Sequence, residues 1–224
     1  MNEKFSVIIR TRNEERWVGH TIQSVLDFLN HPEIIVIDDN SNDKTLEIVR
    51  RFQSNPNIKK NGNNYTDIKI YPINNYTPGK AINMGVNYAS NSNILVISSH
   101  CVLKKFDKKK ILDDLKNYVG IFGNQIPIMD GKKVVKRYLW SHFVDKEIVN
   151  MYSDMEKRFF FHNAFSIFKK KSLIKYPFDE YFSGKEDRYW VEELVKMKIK
   201  FLYDPKQIVE HHYTPDGNTW KGLD

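Results

Sequence analysis

Cysteine is almost missing from this chain: 224 residues contain one, Cys101. A single thiol excludes an intramolecular disulfide and a four-cysteine zinc site, and it suits a reducing cytosol. Long apolar runs are missing too. None reaches the roughly 18 residues of a membrane-spanning helix, and no secretory h-region follows the polar opening "MNEKF". Acidic residues are outnumbered, 28 Asp and Glu against 35 Lys and Arg, for a net charge of +7. That balance suits an anionic ligand, a nucleic acid or an anionic membrane surface, with ordinary solvation by scattered lysines as the plain alternative. Nucleic acid finds no further support, because the chain has no helix-turn-helix, RNP aromatic pattern or zinc knuckle. Internal repeats and clear linkers are also absent. With 41% hydrophobic residues, one domain over 1–224 is the expectation.

What is present in the first half alternates. "FSVIIR" (5–10), "EIIVIDD" (33–39), "IKIYPI" (68–73) and "ILVIS" (94–98) read as buried strands. Between them lie helical spacings. The first, after Asn13 as a candidate N-cap, carries Trp17, Ile22, Val25, Leu26 and Leu29. The second is "DKTLEIVRRF" and the third "PGKAINMGVNYAS". A polar stretch over 53–67 reads as an exposed loop. Continuous apolar strands alternating with helices predict a mostly parallel sheet covered on both faces, an α/β fold. The second half is less regular. "KKKILDDLKNYVG" predicts a helix, "IFGNQIPIM" a short strand or loop, and 134–152 has helical spacing. "FFFHNAFSIFKKKSLIKYPF" reads as a strand entering a helix, "KEDRYWVEELVKMKIK" as a helix, "FLYDP" as a short strand and 208–224 as a tail.

In such a sheet the strands deliver their C-terminal residues to one edge, where ligands bind. The first delivers Arg10, Thr11, Arg12, Asn13 and Glu14, an anion-friendly corner or a set of surface ion pairs. The second delivers Asp38 and Asp39, able to accept from a base or ribose or to cap the next helix. Lys80 sits in the first turn of a helix near the same edge, where a lysine meets phosphate as a point charge. The fourth strand ends in Ser98, Ser99, His100 and Cys101. The histidine lines the ligand cleft or is a structural residue. The thiol reads as a small buried hydrophobe.

Taken together, "FSVIIRTRNEERWVGHTIQSVLDF", "EIIVIDDNSNDKTLEIVRRF" and "PGKAINMGVNYASNSNILVIS" resemble a family 2 glycosyltransferase of GT-A fold. "GNQIP", "FHNAFSIFKKKSLIKYPFDEYFSGKEDRYW" and "FLYDPKQIVEHHYT" resemble its bacterial rhamnosyltransferase-like branch. The resemblance implies a nucleotide-sugar-binding half, 1–103, continuous with an acceptor-binding and catalytic-base half, 104–224. It places Thr11, Arg12, Glu14 and Asp39, with Asp38 before it, at the nucleoside, and Lys80 near the diphosphate. Ser98, Ser99 and His100 stand where the family carries the metal motif Asp-x-Asp, a departure that resembles a recurrent variant of the branch.

Serine and neutral imidazole are poor ligands for Mg²⁺, and imidazole suits Mn²⁺ better. The family often adds a distal histidine, matched here by His211. Three readings stay open: His100 and His211 hold a divalent metal, Mn²⁺ or Mg²⁺; they touch the diphosphate beside Arg10, Arg12 and Lys80; or His100 is structural. The base of inverting transfer falls on Asp187 in "KEDRYW", with Glu186, Asn163 and Trp190 on the acceptor side, His162 supporting the loop, and helix capping or core packing as the plain alternatives. Trp140 and Phe143 read as core or as contacts for a lipid-linked acceptor, and "TPDGNTWKG" as a cover for the donor or a disordered end.

The implied enzyme moves a sugar from a UDP- or dTDP-linked donor to a hydroxyl of a bacterial surface glycan, such as capsule or lipopolysaccharide, or of a lipid-linked saccharide. It is cytoplasmic, with peripheral contact with the inner membrane left open. The Gln-x-x-Arg-Trp motif of processive synthases is missing, which implies single additions. The alternative is a catalytically silent nucleotide-sugar-binding module.

Overall fold

The computed structural model describes residues 4–55, 67–136, 138–215, 217 and 220. The loop expected over 53–67 and the end of the chain lie mostly outside the described residues. Strands β1 (Phe5–Thr11), β2 (Glu33–Asp38), β3 (Asp67–Pro72) and β4 (Asn93–Ser98) pair in parallel in the order β3-β2-β1-β4. Helices α1 (Val18–Phe28), α2 (Thr45–Ser54) and α3 (Pro78–Tyr88) lie between them in sequence. Alternate residues of each strand enter two separate cores. Ile8, Ile35, Ile37, Ile94 and Val96 pack on one side, and Val7, Ile9, Ile34, Val36, Leu95 and Ile97 on the other. Burial on both faces explains the unbroken apolar runs.

Asn13 does not cap α1. It is left-handed, with φ of 51°, and its Oδ1 accepts from Asn42 N at 2.9 Å. The helix starts at Val18, with Trp17 at the N-cap position.

Only Ser99 and His100 separate β4 from β5 (Cys101–Lys105), yet β5 pairs elsewhere. Helix α4 (Lys108–Asp114), strand β6 (Gly120–Met129) and the short β7 (Lys132–Lys133) come next. "GNQIP" thus lies in a ten-residue strand. The helix expected over 134–152 is a 3-10 turn, Tyr138–His142, then two-residue strands β8 (Ile148–Val149) and β9 (Tyr152–Ser153). Its spacing came from aromatic and β-branched residues, which favour helix weakly. Trp140 and Phe143 are buried from this irregular path. Then come β10 (Arg158–Phe159), β11 (Phe165–Lys169), α5 (Lys170–Lys175), α6 (Glu186–Lys196) and β12 (Leu202–His212). The main path of the sheet is β3-β2-β1-β4-β11-β6-β12-β5, with β11 and β5 running against the rest of it and the short β7 and β8 pairing antiparallel to β6 and β12. This is an α/β fold with a mostly parallel central sheet that passes through both halves of the chain.

The strand expected to stop at "FLYDP" continues to His212 because β12 bulges. Its register on β6 shifts between Asp204 and Ile208. The bulge presses a carbonyl onto β6: a Cβ at Gly123 would lie 2.5 Å from Gln207 O and 2.3 Å from Phe165 Cε1. Glycine is needed there by close approach. Beyond the bulge, His211 registers with Cys101 of β5, and His212 N donates to His100 O at 2.9 Å. Residues taken for tail are therefore sheet. No helix among the described residues is long and apolar enough to cross a membrane.

Candidate active site

The C-terminal ends of β1, β2 and β4 meet the N-terminal end of the antiparallel β11 at one edge of the sheet. A cleft of about 1160 Å³ lies there. Arg10, Thr11, Arg12 and Glu14 enter its wall from β1 and the loop behind it, Asp39 from β2, and Ser98, Ser99 and His100 from β4. Asn163 before β11, and Glu186 and Asp187 at the start of α6, form the facing wall.

On the first wall, Arg12 Nη1 donates to Asp39 Oδ2 at 3.1 Å from a largely exposed side chain. Thr11 Oγ1 is buried without a hydrogen-bond partner among the described residues, a polar group left over for a ligand. Asp38 stands behind the wall. Its carboxylate accepts from Ser41 Oγ at 2.6 Å and Ser41 N at 3.1 Å, so it forms the turn that presents Asp39. Lys80 is not in the wall either. Its Nζ donates to Asn74 O at 2.7 Å, while its backbone N donates to the Thr77 cap of α3. The point charge expected at a diphosphate is tied to a carbonyl.

The histidines form a tight cluster. His100 Nδ1 lies 2.6 Å from Glu14 Oε1, and His100 Nε2 lies 3.1 Å from His211 Nε2. Glu14 thus orients an imidazole through Oε1 while its side chain also lines the cleft. His211 is fully buried behind His100, with Nδ1 2.8 Å from Gln125 Oε1. Burial pushes its pKa far down, helped by the neighbouring imidazoles and Arg10. Neutral imidazole is the ligating form. Cys101 Sγ also lies within 4.8 Å of a ring nitrogen of each of these two histidines. Burial raises that thiol's pKa, so it remains protonated and ligates poorly. The donor set that fits a cation is therefore two imidazole nitrogens with a carboxylate behind one of them. That set suits Mn²⁺ better than Mg²⁺.

On the facing wall, Lys185 is left-handed, with φ of 59°, and turns the chain into α6. Asp187 and Glu186 follow, both buried. Asp187 Oδ2 accepts from Asn163 N at 3.0 Å, and Oδ1 accepts from Arg188 N and Arg188 Nη1, both at 2.9 Å. Burial alone would raise its pKa. The Arg188 charge and these donors outweigh burial and hold it below the usual carboxylate value. Glu186 has weaker company: Asn163 Nδ2 at 3.4 Å and Arg10 Nη1 at 3.9 Å. Burial and the Asp187 charge push it up to about 7. Arg10 joins the walls, donating through Nη2 to Asn163 O at 2.9 Å and to Ser98 Oγ at 3.3 Å.

Trp190 is in the core, not the cleft. It packs on Phe161, Phe168 and Phe178, and its Nε1 donates to Tyr176 O at 2.8 Å. One turn past Glu186, it is buried in the core, beyond the end of the helix that reaches the cleft. Arg188 and Glu156 were missed in the sequence, although both line the cleft and pair at 3.4 Å. Glu156 comes from the irregular segment, where no periodicity points to it.

A model of the family described as Glycosyl transferase family 2 matches residues 6–177. The GalNAc(5)-diNAcBac-PP-undecaprenol beta-1,3-glucosyltransferase of Campylobacter jejuni is 28% identical over 205 residues, 89% of this chain and 62% of the relative. Poly(ribitol-phosphate) beta-N-acetylglucosaminyltransferase TarS of Staphylococcus aureus is 30% identical over 105 residues, 46% of this chain and 17% of TarS. The crystal structure of TarS 1-349 in complex with UDP-GlcNAc superposes with a TM-score of 0.68 at 20% identity, over 98% of this chain and 61% of that one. GalNAc-T7 with UDP, GalNAc and Mn²⁺ gives 0.69 at 16% identity, over 96% and 45%. The chain spans less than two thirds of each of these proteins. At such identities the structural likeness speaks for the fold.

Proposed function

The chain belongs to glycosyl transferase family 2, and from that membership we propose that it transfers a sugar from a nucleotide-linked donor to a hydroxyl of a bacterial glycan. One observation carries the reading: the Asp39 wall, the Glu14–His100 pair and the Glu186–Asp187 pair line one cleft. The names of the relatives support the substrate class. They are transferases to poly(ribitol-phosphate) and to an undecaprenol-linked saccharide, and TarS has been crystallised with UDP and UDP-GlcNAc. The donor proposed is a UDP-sugar, with a dTDP-sugar next. The acceptor is a surface glycan or a lipid-linked saccharide. The donor belongs to residues 1–103 and the acceptor to 104–224.

The transfer is proposed to invert. Asp187, held anionic by Arg188, takes the proton of the acceptor hydroxyl as its oxygen attacks the anomeric carbon and the bond to the diphosphate breaks. Asn163 and Glu186 hold the acceptor beside it. Asp39 and Thr11 hold the nucleoside, with Arg12 fixing Asp39. Arg10, Ser98 and Ser99 face the diphosphate. His100 and His211 would hold a divalent cation, which when bound offsets the charge of the departing nucleotide. With Lys80 tied to Asn74, the reading in which basic side chains replace the cation loses one of its three members.

The test is release of nucleoside diphosphate from a panel of UDP- and dTDP-sugars, with and without Mn²⁺ and with glycan acceptors. Asp187→Asn is expected to retain donor binding and lose turnover by about 10²–10⁴-fold. Binding without turnover in the wild-type protein would instead favour a silent nucleotide-sugar module.

A further inference from the structure

Gln125, fully buried on β6, has no part in the proposed reaction, yet it joins two histidines. Its Oε1 is 2.8 Å from His211 Nδ1 and its Nε2 is 3.0 Å from His162 Nδ1. The direction of the amide is fixed from outside this trio. The backbone N–H of Ala164 donates to His162 Nδ1 at 3.2 Å, and a backbone amide nitrogen cannot turn into an acceptor. His162 Nδ1 is therefore a bare lone pair with the proton on Nε2. This imidazole stays neutral, since burial and the Arg188 charge push its pKa down to about 3. Gln125 must then offer its NH₂ to His162 and its carbonyl to His211. A carbonyl only accepts, so His211 carries its proton on Nδ1 and its Nε2 is bare. Glu14 fixes the other end: its carboxylate accepts from His100 Nδ1–H, which leaves His100 Nε2 facing His211 Nε2 across 3.1 Å.

With His211 Nε2 bare, that 3.1 Å gap is one that a proton on His100 or a metal cation fills. We propose that Gln125 is a positioning residue: its carbonyl holds His211 in the Nδ1–H tautomer and so keeps a lone pair turned toward His100, which makes the two imidazoles a ready ligand pair. The purpose of this arrangement rests on the proposed cation site; the tautomers do not. Without the carbonyl, His211 can carry its proton on Nε2 and donate it to His100 Nε2. The pair is then satisfied and one ligand is lost. Partners behind metal-ligating histidines act in this way, and losing one costs about 10–100-fold in affinity.

Two variants of the full chain separate the outcomes. Gln125→Met keeps the unbranched shape without the amide. Gln125→Glu keeps an acceptor for His211 Nδ1–H. Long-range proton–nitrogen correlation of the metal-free protein reads the tautomers, and Mn²⁺ titration by electron paramagnetic resonance reads affinity; neither needs turnover. The expected result is Nδ1–H at His211 in wild type and Gln125→Glu, and Nε2–H in Gln125→Met. Mn²⁺ binding should weaken about 10–100-fold in Gln125→Met and change by less than about threefold in Gln125→Glu. A bare Nδ1 on wild-type His211 overturns the proposal, as does a Gln125→Met protein with unchanged tautomer and Mn²⁺ affinity. The expected tautomers with no Mn²⁺ binding in any form would uphold the positioning role and sink the metal reading. Should Gln125→Met fail to fold, Gln125→Glu decides, since loss of Nδ1–H beside a retained acceptor overturns the proposal.

Discussion

Glu186 and Asp187 are neighbours in sequence with opposite surroundings. Three donors hold Asp187 ionised, whereas Glu186 is buried beside that charge with only distant partners. The difference is measurable as stability. Glu186 rises from 4.5 to about 7 on folding, so between those values the folded chain holds a proton that the unfolded chain has lost. Stability from this group is complete below pH 4.5 and drains as pH climbs through 7, by on the order of 3 kcal/mol. Glu186→Gln removes the charge and keeps the shape. Its melting temperature relative to wild type should therefore be higher at pH 8 than at pH 5. An equal difference at both values would show that Glu186 titrates normally. The acidic pair and the Arg188 that keeps Asp187 charged are both legible in "KEDRYW"; the burial that raises Glu186 and the Asn163 N–H that meets Asp187 are not, because they come from elsewhere in the chain.

Among the elements, the four parallel strands are legible because burial on both faces leaves uninterrupted apolar runs. β12 is not, because its bulge sets Pro205, Lys206 and Gln207 between its apolar ends. Gly123 is the counterpart of that bulge. Gly123→Ala drives a methyl into the Gln207 carbonyl and the Phe165 ring. Since overpacking costs about 1–3 kcal/mol even against side chains that can yield, a loss of about 3 kcal/mol or more is expected by urea unfolding. A stable, unshifted Gly123→Ala protein would show that β12 can give way. At the opposite end of the sheet, Glu33 on β2 accepts from Ser6 Oγ at 2.5 Å, Ser90 N at 2.7 Å, Ser90 Oγ at 2.8 Å and Lys69 Nζ at 3.0 Å. Burial alone would raise this carboxyl; these donors win and lower it. Its contribution is therefore present above pH 4.5 and lost as pH falls through the depressed value. Glu33→Gln turns a donor toward donors and should cost about 2–4 kcal/mol at pH 7, shrinking toward acid in thermal melts.

For the whole molecule, the prediction concerns the cleft between its two walls. A ligand at about 100 times its Kd adds about 2.7 kcal/mol of stability, or about 5–10 °C in melting temperature for a chain of this size. UDP with Mn²⁺ should give such a shift, and EDTA should reduce it. A shift untouched by EDTA would mean that the diphosphate is held by Arg10 and Arg12 without a cation. The sequence by itself determined the alternation of strand and helix, the edge that carries polar residues, and most of the residues in the cleft. These are local facts, set by apolar periodicity and by the polar residues at each strand's end. Only the tertiary structure decided that Lys80 and Trp190 turn away, that Glu14 serves an imidazole, and that His100, His211, Gln125 and His162 touch. Those outcomes depend on which donor meets which acceptor across the sheet, and partners separated by 37 to 111 positions leave no pattern along the chain.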